Sequence, residues 1–283
     1  MTAYLLTWKL QTSGRHYRLT PVLNSRNATD LINPDGSQFT SGRVTAGETK
    51  ISLQLVSLDY SGIEYFARPG KYTLVALDAD ENEHERKVNL QPDLSVTDIS
   101  FFGDQNAPRT IDDYQRYAAI LFTVENTGNS PDIISDSVVN GPNVPMPRQP
   151  KPYRNQNYRG PAGAGLMALD QNMSNEYVVV GAGSTRKLLT AYTPFGFPAA
   201  TSAFTVPEKG EYESKQALRK EWGGKEMDAL AGIGATKPHD LRITVKFDGS
   251  IKKVSFLADQ NILYFTNPSV SNVSKPTTST TST

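Results

Sequence analysis

"EYVVVGAGSTRKLL", residues 176–189, is the stretch whose reading decides the fold. A valine run ending in Gly181-Ala182-Gly183 has the form of a buried strand that turns into a phosphate-binding helix. The competing form is a tight turn between two strands. A pyrophosphate site needs a helix N-terminus, whose free N–H groups and dipole hold the anion, and three glycines. Gly181 and Gly183 supply two, but the third position is Arg186, whose side chain obstructs the close helix–strand contact. Pro194 and the "TPFGFP" that contains it (193–198) stop any crossover helix, and no carboxylate stands about twenty residues on at a strand end. The segment therefore reads as strand, turn, strand.

Composition agrees. The chain has 283 residues, 29 basic and 29 acidic side chains, three histidines and no cysteine. That length holds one large or two modest domains, each able to bury a core. Charge near zero gives no global pull toward nucleic acid or anionic membranes. Without cysteine there is no disulfide framework, thiolate chemistry or cysteine-based zinc site. The opening "MTAYLLTWKLQTSGRHYRLT" lacks a basic stretch followed by an apolar one, so no secretory leader is expected. No apolar run approaches the roughly 18 residues of a membrane span. Ser, Thr, Asn, Gly and Pro are plentiful, and 13 Tyr and 11 Phe add strand formers.

Strand signals recur along the chain. "YLLTWKL" and "HYRLTPVL" flank a turn segment with Gly14. In "VTAGETKISLQLVSL", Ile51, Leu53 and Leu55 share one face. "ARPGKYTLVALDADENEHERKVNL" is a Pro-Gly turn, a strand, an acidic turn and a partner strand, and "QPD" (91–93) reads as a linker. "LSVTDISFF", "YAAILFTVENTGNSPD" and "HDLRITVKFDGSIKKVSFL" continue the pattern, the last as a hairpin on Asp248-Gly249. The halves parallel each other: 44–55 matches 180–192, and 72–90 matches 241–257. The predicted fold class is all-β, with two β-sandwich or jelly-roll units, one short helical insertion and a long Pro/Gly-rich arm. The first unit spans 1–91 and the second 92–268, with the arm at 140–175 and the helix at 211–231. The Ser/Thr-rich tail (269–283) reads as mobile.

"PDLSVTDISF" (92–101), "ILFTVENTGNSPD" (120–132) and "PGKYTLVALDADENE" (69–83) resemble the opening strands and closing hairpin of immunoglobulin-like β-sandwiches from bacterial and archaeal surface proteins. The resemblance covers about half the chain and implies fold, not activity.

Candidate chemistry is sparse. "DADENEHE" (78–85) begins like a calcium loop, but Glu83 stands where glycine should turn and Asn89 where a bidentate glutamate should sit, so a solvated hairpin turn is expected. His16, His84 and His239 are scattered, and no G-x-S-x-G elbow occurs. "RQPKPYRNQNYR" (148–159) interleaves bases with aromatics, as a single-stranded nucleic acid site does, yet balanced charge and its shortness favour an arm lying across a neighbouring subunit. Leu218, Trp222, Met227 and Leu230 make a helical stripe able to dock on a sheet or neighbour. The expected interface residues are therefore Arg148, Lys151, Tyr153, Arg154, Tyr158, Arg159 and Trp222. No catalytic residues, cofactor, metal, small-molecule substrate or specific nucleic acid is expected.

Two function classes remain. The length and two-β-unit layout are similar to the larger major capsid subunit of icosahedral phages with an internal membrane and upright single-barrel coat proteins. That resemblance implies a virion subunit with one β unit in the shell base and the other projecting. Its partners would be copies of itself, a second coat protein and an underlying membrane. The alternative is a cell-surface immunoglobulin-like adhesion or carbohydrate-binding module, with Tyr153, Tyr158, Phe195 and Phe197 offered to sugar rings.

Overall fold

"ILFTVEN" (120–126) alternates buried and half-buried positions without a break, the signature of a strand with one face in a core. Repetition of that pattern builds the protein. The structure, a computed structural model, describes residues 4–9, 29–32, 38–42, 50–59, 62–77, 83–103, 113–134, 136–145, 166–169, 178–190, 192–200, 212–234, 239–257 and 260–274. The chain divides into two units. The first comprises 1–93 with 126–132 and 181–184; the second comprises 94–125, 133–180 and 185–283.

Unit one is a pair of antiparallel sheets. Strands β1 (Tyr4–Lys9), β4 (Lys50–Asp59) and β5 (Gly62–Phe66) form one, in the order β1-β4-β5. The other runs β3 (Gln38–Gly42), β2 (Thr29–Ile32), β6 (Gly70–Leu77), β7 (Glu83–Leu90). Tyr72 lies opposite Val88, and both are buried along with Leu74, Leu90, Leu55 and Val56. The Gln91-Pro92-Asp93 segment is fixed rather than loose. Asn129 accepts a bond from Gln91 N–H and donates one to the Asn89 carbonyl, each 2.8 Å. Asn126 accepts from Asp93 N–H at 3.1 Å and donates to the Ser130 carbonyl at 2.8 Å. Thr127 and Asn129 N–H groups donate to the carbonyls of Asp93 and Gln91.

Unit two carries β8 (Leu94–Phe101), α1 (Asp113–Ala118), β9 (Ile120–Asn126), β10 (Asp132–Ile134), β11 (Asp136–Asn140), β12 (Leu166–Ala168), β13 (Val178–Val180), β14 (Ser184–Thr190) and β15 (Phe197–Ala199). After these come α2 (Lys215–Trp222), β16 (Glu226–Gly234), β17 (His239–Lys246), β18 (Ile251–Leu257), β19 (Gln260–Phe265) and β20 (Ser269–Ser274). Two four-stranded sheets, β12-β14-β9-β8 and β11-β16-β17-β20, pack on a shared core that includes Phe122, Val124, Leu188, Ala229, Ala231, Ile243 and Val245. A three-stranded sheet, β15-β19-β18, contributes Phe197 and Phe265 to an aromatic cluster. Phe247 lies 5.3 Å from both Phe197 and Phe265, and 6.0 Å from Phe195 and Trp222, between ring centres. The all-β sandwich expectation holds.

The deciding stretch is a turn. Gly183 has φ +64°, the left-handed value that favours glycine, and Ser184 bonds the Gly181 carbonyl through both its N–H (3.2 Å) and its hydroxyl (2.7 Å). Residues 184–190, where a phosphate helix would start, are strand β14.

Four expectations need correction. The helix at 211–231 ends at Trp222: Ser214 caps its start, Gly223 N–H closes onto the Arg219 carbonyl, and Gly224 at φ +73° turns the chain away. The chain then enters β16, whose Met227, Ala229, Ala231 and Ile233 point inward at period two. Asp248-Gly249 does not make a hairpin, because β17 and β18 belong to different sheets. Thr266 and Asn267 capture that turn instead, with bonds between Ser250 and Thr266 (2.9 and 3.1 Å) and from Asn267 N–H to the Asp248 carbonyl (3.2 Å). The tail is not wholly low-order, since 269–274 add β20 to the edge of β17. Phe195 and Phe197 are each 1% exposed, in the core and out of reach of any sugar.

Candidate functional site

Strands β11, β16 and β17 alternate, so the side chains left over from the core form one outward face. Register sets its rows. Val138 lies beside Gly232 and Asp240; Asn140 beside Leu230 and Arg242; Asp228 beside Thr244; Glu226 beside Lys246. Among the described residues, Val138 (38% exposed) and Leu230 (47%) are the large hydrophobic side chains left open to solvent, and they are diagonal neighbours here.

Polar groups frame the apolar pair. The Thr244 hydroxyl donates to an Asp228 carboxylate oxygen at 2.8 Å, and the Lys246 ammonium lies 3.4 Å from Asp248. An open depression of about 280 Å³ is lined by Gly141, Pro142, Asp228, Ala229, Leu230, Arg242 and Ile243. Gly141 packs closely beside it: a Cβ there would stand 3.2 Å from both the Asp228 carbonyl and a Val144 methyl, which would have to give by a few tenths of an ångström. The backbone beneath is firm. Val139 N–H donates to the buried Tyr192 hydroxyl at 2.7 Å, which satisfies an amide of β11 that faces away from the ladder.

The interface residues expected from the sequence fall mostly on other segments. Arg148, Lys151, Tyr153, Arg154, Tyr158 and Arg159 lie outside the described residues, as do Tyr153 and Tyr158 in their sugar-binding role and the acidic turn at 78–82. Trp222 is half-buried: its indole N–H donates to the Tyr212 hydroxyl at 2.9 Å, and its ring packs on Phe247. Burial raises the Tyr212 phenol above its ordinary value, against the opposing Trp222 hydrogen bond. Leu230 was legible only as part of a helical stripe; the two-residue period of "EMDALAGIG" (226–234) was the signal that places it outward.

Among the described residues, no group of three or more His, Asp or Glu is arranged to hold a metal ion, and no helix is long and apolar enough to cross a membrane. No family model matches the chain, and no curated protein matches it. Among solved structures it is similar to Salmonella alpha-2-macroglobulin, in a point-mutant form (TM-score 0.18, 9% identity) and in a methylamine-reacted form (TM-score 0.17, 10% identity). Each match covers 83% of this chain and 14% of the macroglobulin chain. At those scores the likeness bears on neither fold nor function.

Proposed function

We propose that this chain is a structural coat subunit that assembles with copies of itself, and with a second coat protein, into an icosahedral virion shell. The observation that carries the reading is the Val138–Leu230 pair on an outward sheet face, with Asp228, Asp240 and Arg242 beside it on β16 and β17. An apolar centre with a mixed-charge rim is how protein–protein contacts are built. A chain of stacked sheets with such a face stabilises itself further by associating, and a self-complementary contact or a rotation that closes gives a symmetric assembly.

A second reading, an immunoglobulin-like module at a cell surface, is favoured by one observation. The order β8-β9-β14-β12 against β11-β16-β17 corresponds to strands A-B-E-D and C-F-G of a constant-type immunoglobulin sandwich, with β20 added beyond the last. Strand order speaks for fold more than for role, and the burial of Phe195 and Phe197 removes two of the aromatics that sugar binding would use.

Electron microscopy of the concentrated chain, alone and mixed with its neighbouring gene products, separates the readings. Rings, sheets or shells are the expected result. A chain that stays monomeric and binds a defined glycan on an array would favour the cell-surface module instead.

A further inference from the structure

We infer that the β16–β17 face is an isologous contact, joining two copies of this chain about a two-fold axis that runs between those strands and parallel to them. The inference deepens the coat-subunit reading, on which it rests for the identity of the partner. Its evidence is the charge order of the face. On the outward side β16 carries the acids Glu226 and Asp228, while β17 carries the bases Arg242 and Lys246, the latter 3.4 Å from Asp248, with the acid Asp240 at the far end of β17. The two strands are in register, Glu226 against Lys246 and Leu230 against Arg242.

A half-turn about the proposed axis carries each residue to the position above its own register partner. Glu226 of one copy then stands over Lys246 of the second copy, and Lys246 over Glu226, so the pair forms twice. Leu230 meets the aliphatic stem of Arg242 and enters the depression beside it. Asp240 comes over Gly232, where the facing chain's own Asp240 already leans, its Oδ1 2.8 Å from where a Cβ would stand. The two carboxylates oppose the contact at this row, and the Glu226–Lys246 rows must outweigh them. Two such faces pack with their strands aligned to within about 30°, the offset that sheet twist imposes. Among the described residues the face carries no aromatic ring, so these offer a sugar no stacking platform.

The test uses charge reversal in trans, with the full chain. Glu226→Lys gives a face with two bases at these positions, and Lys246→Glu a face with two acids. By sedimentation equilibrium, each variant alone should associate about tenfold or more weakly than the wild-type chain, because like charges oppose across the axis. An equimolar mixture of the two should regain wild-type association, since each copy now offers the complement of the other. Thermal unfolding of each variant monitors the fold, because both substitutions also place like charges opposite each other within a chain. Loss of association that mixing fails to restore overturns the inference. Association indifferent to both substitutions also overturns it, assigns the contact to another surface such as the 140–175 arm, and leaves the coat-subunit reading standing. A wild-type chain that never associates, alone or with its neighbouring gene products, overturns both.

Discussion

Gly128 lies so close to Gln91 that a Cβ at position 128 would stand 2.3 Å from the Gln91 carbonyl oxygen and 2.5 Å from the Asp93 amide nitrogen. The turn at 126–129 is therefore seated against backbone, which does not yield as a side chain would. Gly128→Ala should force that seat open and destabilise the chain by about 1–3 kcal/mol, seen as a lower denaturant midpoint. Asn129→Ala, which removes two hydrogen bonds to backbone, should cost about 0.5–1.5 kcal/mol for each. Unchanged midpoints for both would mean the 91–93 segment is held by something else.

Tyr192 and Val139 supply a second prediction. Tyr192→Phe keeps the ring and deletes the oxygen that accepts Val139 N–H, leaving a buried donor orphaned. The expected loss is about 1–3 kcal/mol, and hydrogen exchange at the Val139 amide should quicken. If exchange there matches the wild-type chain, the hydroxyl is not what protects that amide.

The aromatic cluster of unit two should respond more strongly. Phe247 touches Phe195, Phe197, Phe265 and Trp222 and is 1% exposed, so Phe247→Ala opens a cavity among rings. Loss of about 3–5 kcal/mol is expected. A loss below about 1 kcal/mol in a urea titration would show that the neighbouring rings collapse into the space.

Alkaline pH should weaken the fold through Tyr212 and Tyr72, whose phenols are both raised above 10.0 mainly by burial. The unfolded chain ionises these groups first. Above the unfolded value it binds fewer protons than the folded chain, so stability falls as pH rises. The contribution is present below that value and is lost as pH climbs through the folded one. Tyr212→Phe should flatten the fall of melting temperature with pH in that range. An identical slope in the variant would assign the alkaline loss to other groups.

The strands of this protein were legible where alternation was strong, as in β6, β7 and β9, because one buried face imposes a two-residue period. Where the period was filled by alanine it was not. "EMDALAGIG" is rich in helix formers, and only the Gly223-Gly224 break and a sheet waiting on both sides turn it into β16. Asp248-Gly249 carries a hairpin signal that long-range bonds from Thr266 and Asn267 override. The polar "SVSNVS" of β20 has almost no apolar signature, since it sits at a sheet edge and needs only ladder bonds. The outward position of Leu230 was hidden for the same reason as β16: it points outward in a strand, but lies on the docking stripe of the expected helix.

The central claim, that copies of this chain meet through the Val138–Leu230 strip, is tested most directly by sedimentation equilibrium of the wild-type chain against the double variant Val138→Thr/Leu230→Thr. Threonine keeps strand propensity and removes the apolar contact. The wild-type mass should rise with concentration, while the variant stays at one chain with an unchanged circular dichroism spectrum. Equal masses for the two across the whole concentration range would contradict the claim.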